Sequence, residues 1–346
     1  MNKQPALVLV APGQTEIREI KIPVPGQGDV LLEINTVGFC GGDLNGFRGL
    51  FELQEYPNVL GHEVGATIRE TGPLVPAHLE PGMRVTLDPY QHCGSCKACR
   101  KGKTNACQDN RTMGVRRPGA MTHFICVPWQ KLHTSALLDA RELALAEPLT
   151  VGFHAANRGR VQAGEKVAVI GCGIVGMGAI AGSLNLGAEV IAIDIDDIKM
   201  ERAKLAGASH TINTRSVDLH EALMEITGGD GPDVVIEAAG NPATFRTAVE
   251  EVAYTGRVVY IGYAKAPVSY NTGLFVKKEI EILGSRNCLG EFPVVIDYLE
   301  KGKFPVEAVI SRVVSLGQSG KALADWSENP GPVTKIMVDI HNPHES

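Results

Sequence analysis

Four cysteines open the chemistry of this chain. Cys93, Cys96 and Cys99 recur at a C-x-x-C-x-x-C spacing, and Cys107 follows within the same fifteen residues. Thiolates this close suit tetrahedral Zn2+, a borderline-soft ion with no geometric demand of its own. Four of them complete the shell and leave no place for a substrate. The expectation is a structural zinc that ties a surface lobe, about residues 90–110, together.

A second pattern is Gly171-x-Gly173-x-x-Gly176, directly after an apolar run and opening a small-residue helix that begins with Ile174 and Val175. The first glycine allows a tight turn and the second lets a pyrophosphate approach the backbone. The third lets helix and strand pack closely, and the helix N-terminus attracts phosphate. Asp194 ends the next strand about twenty residues on, where a carboxylate accepts ribose hydroxyls and repels a 2′-phosphate. This reads as a site for NAD in preference to NADP. A third group is looser. Cys40-Gly41-Gly42-Asp43 ends one β run and Gly61-His62-Glu63 opens another. A thiolate, an imidazole and a carboxylate could hold a catalytic metal with one position open. Taken alone, a satisfied core histidine and a surface glutamate account for His62 and Glu63 better.

The elements that must carry these residues change character along the chain. Residues 1–155 show short β runs, such as Val30–Asn35, Glu63–Arg69 and Arg84–Asp88, broken by Pro25-Gly26 and Pro81-Gly82. That pattern predicts a barrel-like β domain. Over 156–288 strands alternate with helices: Lys166–Ile170, helix Ile174–Leu186, Val190–Asp194, Ser209–Ile212, a helix near Val217–Thr227, Val234–Glu237, a helix from Pro242, Arg257–Ile261 and Glu281–Gly284. Uninterrupted β-branched strands between helices predict a doubly wound parallel sheet, an α/β fold. Residues 289–346 are expected to return to the first domain.

The 346 residues are 44% apolar and 21% charged with a net charge of −6, an ordinary globular balance that needs no disulfides. With no dense Lys/Arg block, nucleic acid and anionic membrane surfaces are unexpected partners. The uncharged run Val167–Ala188 could span a bilayer, but its glycines suit a strand and helix better. Eight cysteines, half of them in one cluster, suggest metal ligation in a reducing compartment, hence the cytoplasm.

Cys40, Gly61-His62-Glu63, the four-cysteine lobe, Glu147-Pro148-Leu149 and the glycine fingerprint with Asp194 occur together and in order. In this the chain resembles the zinc-containing medium-chain alcohol and polyol dehydrogenases over nearly its whole length. The resemblance implies a GroES-like β domain with a Rossmann domain, and hydride transfer from an alcohol to NAD with Lewis-acid help from zinc. It implies two zinc ions per subunit. The catalytic one would be held by Cys40, His62 and either Glu63 or Glu147, with Asp43 orienting His62 through its other ring nitrogen. Lys199 matches a position contacting the adenine ribose. The glutamates and the stretch from Lys277 to Asn287 point to the sorbitol, L-threonine and hexonate dehydrogenase branch, with Arg286 and Asn287 on the substrate. Such enzymes pair sheet edges such as Glu281–Gly284 into homodimers or homotetramers. One departure matters. The family's hydroxyl and histidine that pass the alcohol proton to solvent are replaced by Gly42 and Asn45, leaving that work to Glu147 or a water chain. A non-catalytic NAD-binding redox sensor of the same fold is the rival reading.

Overall fold

Short apolar runs broken by glycine and proline become strands, mostly antiparallel, with Ile310–Ser315 and Lys335–Asp339 paired in parallel. The computed structural model describes residues 3–331 and 333–341. One compact unit comprises the chain up to Glu147, Phe292–Glu300 and the segment from Ile310 onward. Its larger sheet, among the described residues, runs in the order Leu132–Thr134, Arg84–Leu87, Glu63–Thr71, Asp29–Gly38, Lys335–Asp339 and Ile310–Ser315, with Phe124–Pro128 also paired to Asp29–Gly38. Leu32, Ile34, Val64, Ile68, Val85 and Leu87 fill its core. Asp29–Gly38 lies between two antiparallel neighbours, with Gly38 opposite Glu63 on one side and Met337 on the other. A Cβ on Gly38 would lie 2.1 Å from a Glu63 carboxylate oxygen. Glycine is required there because a charged side chain crosses its face.

The other unit comprises Pro148–Glu291 and Lys301–Val309. Its sheet is parallel throughout, ordered His210–Asn213, Glu189–Asp194, Lys166–Ile170, Val234–Glu237, Arg257–Tyr260, Glu281–Gly284. In chain order that is 3-2-1-4-5-6, the dinucleotide-binding arrangement, whose order reverses beside Lys166–Ile170. Asp196, Asp218 and Asn241 cap the helices Asp197–Leu205, Leu219–Thr227 and Pro242–Glu251 with side-chain hydrogen bonds. No helix among the described residues is long and apolar enough to cross a membrane.

The strands of this second unit fall where the apolar runs place them, within a residue or two. Several helices do not, among them Gly41–Phe47, Asp197–Leu205 and Ala140–Arg158. Gly41–Phe47 and Asp197–Leu205 have too few apolar residues to show a stripe. Ala140–Arg158 spans nineteen residues, and every side chain from Leu143 to Thr150 is buried. A helix covered on all sides has no polar face and so no 3.6-residue signature. The two compact units meet in sequence inside that helix, at Glu147 and Pro148, and Lys301–Val309 groups with the second unit.

Candidate active site

The first unit gathers the loose group of polar residues. Cys40 caps the helix Gly41–Phe47, its Sγ accepting from the Gly42 N–H at 3.3 Å, while Asp43 Oδ2 accepts from the Cys40 N–H at 2.8 Å. Sulfur here takes the place that a serine oxygen usually fills at a helix start. His62 and Glu63, buried at 5% and 0% exposure, enter from the neighbouring strand. The donor atoms of Cys40, His62 and Glu63 lie within 4.8 Å of one another. They are thus neither scattered core nor surface residues.

Glu63 has a partner that sequence reasoning missed. Lys335 Nζ donates to both its carboxylate oxygens, at 2.7 and 2.5 Å, and to the Phe39 carbonyl at 2.8 Å. All three ammonium protons are thereby used, and the side chains of both ions are at 0% exposure. The available signal was a lysine opening the run Lys335-Ile-Met-Val, where an apolar residue would be expected.

Glu147 occupies the same pocket, at 3% exposure, with the Tyr90 hydroxyl donating to its Oε1. Tyr90 too was not singled out. Burial and the nearby Glu63 carboxylate push Glu147 up to about 7, against the pull of His62, Tyr90 and Lys335. Burial likewise raises Asp43. For His62 burial works downward, but Asp43, Cys40 and Glu147 outweigh it and leave the imidazole well above its usual value. Asp43 Oδ1 and His62 Nδ1 face each other at 4.0 Å and neither has a hydrogen-bond partner. The expected orienting contact is therefore drawn up but not made, since 4.0 Å exceeds a hydrogen bond.

Three carboxyls and a thiol thus share a buried pocket with one lysine and one histidine. Buried charge is tolerated when it is paired or coordinates metal. A divalent cation between Cys40, His62 and Glu63 would balance the excess, and the sulfur, nitrogen and oxygen set suits zinc.

The cysteine lobe is a separate centre. Sγ separations are 3.5 Å for Cys96 and Cys99, and 4.0 Å for Cys93 with Cys99 and for Cys96 with Cys107. A tetrahedron with bonds of about 2.3 Å has edges of about 3.8 Å. Hydrogen bonds from the Ser95 and Cys96 backbone pull the Cys93 thiol down to about 6, toward the thiolate that a metal needs.

In the second unit each fingerprint glycine meets its requirement. Gly171 adopts φ +95°. A Cβ on Gly176 would lie 1.8 Å from the Gly171 carbonyl, whereas one on Gly173 would meet nothing within 4 Å. The helix starting at Ile174 has no side-chain cap, so its first N–H groups face that open space beside Val175. Asp194 Oδ2 accepts from the Cys172 N–H and Oδ1 from the Ile195 N–H, both at 2.7 Å, which fixes the carboxylate against the glycine turn. Lys199 is close enough for its charge to act on the Cys172 thiol. Arg286 and Asn287 follow the strand Glu281–Gly284 on this unit. Asn287 holds φ +52° with a buried side-chain Nδ2 that has no partner.

Two family models match this chain: the alcohol dehydrogenase GroES-like domain over residues 26–136 and the zinc-binding dehydrogenase over 175–301. An uncharacterized zinc-type alcohol dehydrogenase-like protein of Haemophilus influenzae is 32% identical over 96% of this chain and 97% of its own length. L-galactonate-5-dehydrogenase of Escherichia coli is 30% identical over 90% of each chain. Among solved structures, a zinc-binding dehydrogenase of Sinorhizobium meliloti bound to NADP superposes with a TM-score of 0.91 at 28% identity, covering 98% of this chain and all of that one. An E. coli alcohol dehydrogenase complexed with NADH gives 0.89 at 29% identity with the same coverage. The chain belongs to the zinc-type medium-chain alcohol dehydrogenase family.

Proposed function

We propose that this member of the zinc-type alcohol dehydrogenase family oxidises a secondary alcohol of a polyol or sugar acid, with NAD as the hydride acceptor. The observation that carries the reading is the excess of buried negative charge around Cys40, His62 and Glu63, together with an open glycine cradle on the parallel sheet. Cys40, His62 and Glu63 would hold the catalytic zinc, since these three donors converge. Bound zinc supplies Lewis acidity that lowers the pKa of an alcohol, and NAD accepts the hydride.

The protein's own residues do the rest. Lys335 holds Glu63 in place and compensates part of its charge. Glu147, near neutrality, can accept a hydrogen bond from a hydroxyl or hold a proton that leaves one. Gly42 and Asn45 offer no titrating group, so Glu147 is the proton acceptor that this reading assigns. Asp194 favours NAD because a 2′-phosphate beside it would set like charges together. A second carboxyl next to the reacting hydroxyl suits substrates with adjacent hydroxyls, in line with the L-galactonate-5-dehydrogenase relative. Arg286 would take a carboxylate or hydroxyl pair at the far end.

NADH formation over a panel of hexonates, hexitols, threonine and simple alcohols tests this, with elemental analysis expected to give near two zinc ions per chain. Turnover of ethanol with none of the hydroxyl-rich compounds would remove the substrate class. Zinc and NAD bound with no turnover at all would favour the redox sensor.

A further inference from the structure

We infer that Tyr90 is a positioning residue for the catalytic pocket: its phenol sets the rotamer of Glu147. The inference rests on the dehydrogenase reading above.

Glu147 enters the pocket on a flexible side chain, and a buried carboxyl with no rigid donor would have several rotamers to choose from. Tyr90 supplies a rigid donor. Its ring turns about two torsions only, and its hydroxyl donates to Glu147 Oε1. The backbone beneath it is clamped on three sides. Tyr90 N donates to Asp88 Oδ1 at 2.9 Å, and Lys131 Nζ donates to the Tyr90 carbonyl at 2.6 Å and to Asp88 Oδ2 at 2.7 Å. Tyr90 also pairs with Thr112 in a short antiparallel ladder, and Cys93 of the four-thiolate lobe follows three residues later.

The wall near Cys40 contributes nothing comparable. Gly42 has no side chain, and a Cβ there would sit 3.7 Å from Cys40 Sγ and 3.8 Å from a Phe51 ring carbon. That side is closed by an aromatic edge, whereas the phenol donates to the pocket's second carboxyl.

Tyr90→Phe removes one oxygen and keeps the ring. A hydrogen bond to a charged group corresponds to a factor of about 10–100, and kcat/KM should fall by that much with most of the loss in kcat. Adding Tyr90→Phe to Glu147→Gln should cost no further activity, as the inferred effect of the phenol on the pocket runs through that carboxylate. The zinc-to-cobalt(II) enzyme provides a readout independent of turnover: its visible bands should shift in Tyr90→Phe and in Glu147→Gln, and no further in the pair.

The kinetic cycle uses whichever alcohol the wild type oxidises fastest, so a wrong substrate class does not decide it. If no alcohol is turned over, the cobalt bands decide alone. Unchanged bands, kinetics within twofold of wild type, losses that multiply in the double variant, or a loss explained by unfolded protein would each overturn the inference.

Discussion

Replacing Lys335 with methionine keeps the length of the side chain and deletes the charge facing Glu63. Both partners are fully buried and the contacts are short, at 2.5 and 2.7 Å, so solvent screening does not reduce the effect. Removing one member of a buried ion pair typically costs about 3–5 kcal/mol, because the other charge is left uncompensated. At roughly 2–4 °C per kcal/mol for a unit of this size, the melting temperature should drop by roughly 6–20 °C. Urea unfolding of wild type and variant, with chelator and again with zinc, measures the loss. Zinc should shrink it, since a cation beside Glu63 takes over part of the compensation. The double variant Lys335→Met/Glu63→Gln should recover part of the stability, having no lone buried charge. A single-variant loss under about 1 kcal/mol, or a double variant as unstable as the sum of its parts, would refute this account of the pair. A loss indifferent to zinc would speak against Glu63 as a ligand.

Wild type should prefer NAD over NADP by about a hundredfold or more, on the several kcal/mol that like-charge contact costs at an interface; Asp194→Ser should narrow that ratio, and a wild-type preference for NADP would contradict the role given to Asp194. In Glu291 burial pushes the carboxyl up, but the His154 hydrogen bond and charge outweigh it and hold it below its ordinary value. Its stabilisation is therefore present above the unfolded pKa of 4.5 and disappears as pH falls through the lower folded value. Glu291→Gln should flatten the acid limb of stability, and an unchanged acid limb would show that the pair is silent. The edge strand Glu281–Gly284 carries Ile282 at 41% exposure, a surface that pairing with a second copy would cover. Sedimentation should show an oligomer that Ile282→Lys dissociates, and a monomeric wild type at micromolar concentration would count against it.

How much of this was legible depended on where each partner sits in the chain. The four cysteines, the glycine fingerprint and Asp194 are close in sequence, and their spacing states their geometry before any fold is known. The strands of the parallel sheet were legible for a related reason: the central ones are apolar runs whose burial on both faces needs no register. Tyr90 with Glu147, and Glu63 with Lys335, are separated by 57 and 272 residues. No local pattern encodes such pairs. Only the pairing of Asp29–Gly38 with the strands that begin at Glu63 and Lys335 brings the second pair together. The helix Ala140–Arg158 was hidden by the opposite effect: burial of every residue from Leu143 to Thr150 erased the periodicity that would have announced it.

Gly38 shows why the site constrains residues that never touch a ligand. The carboxylate of Glu63 has to cross the central strand to reach Lys335, and any side chain on Gly38 would occupy its path. The lysine is needed because the pocket already holds the buried carboxyls of Asp43 and Glu147 beside the Cys40 thiol. One lysine offsets only part of that charge. A pocket with fully paired charges would gain little from a divalent cation, whereas this one keeps a negative remainder beside two donors suited to zinc. Partial compensation by Lys335 lets the apoprotein fold with these carboxyls buried, and the remainder leaves zinc a reason to bind.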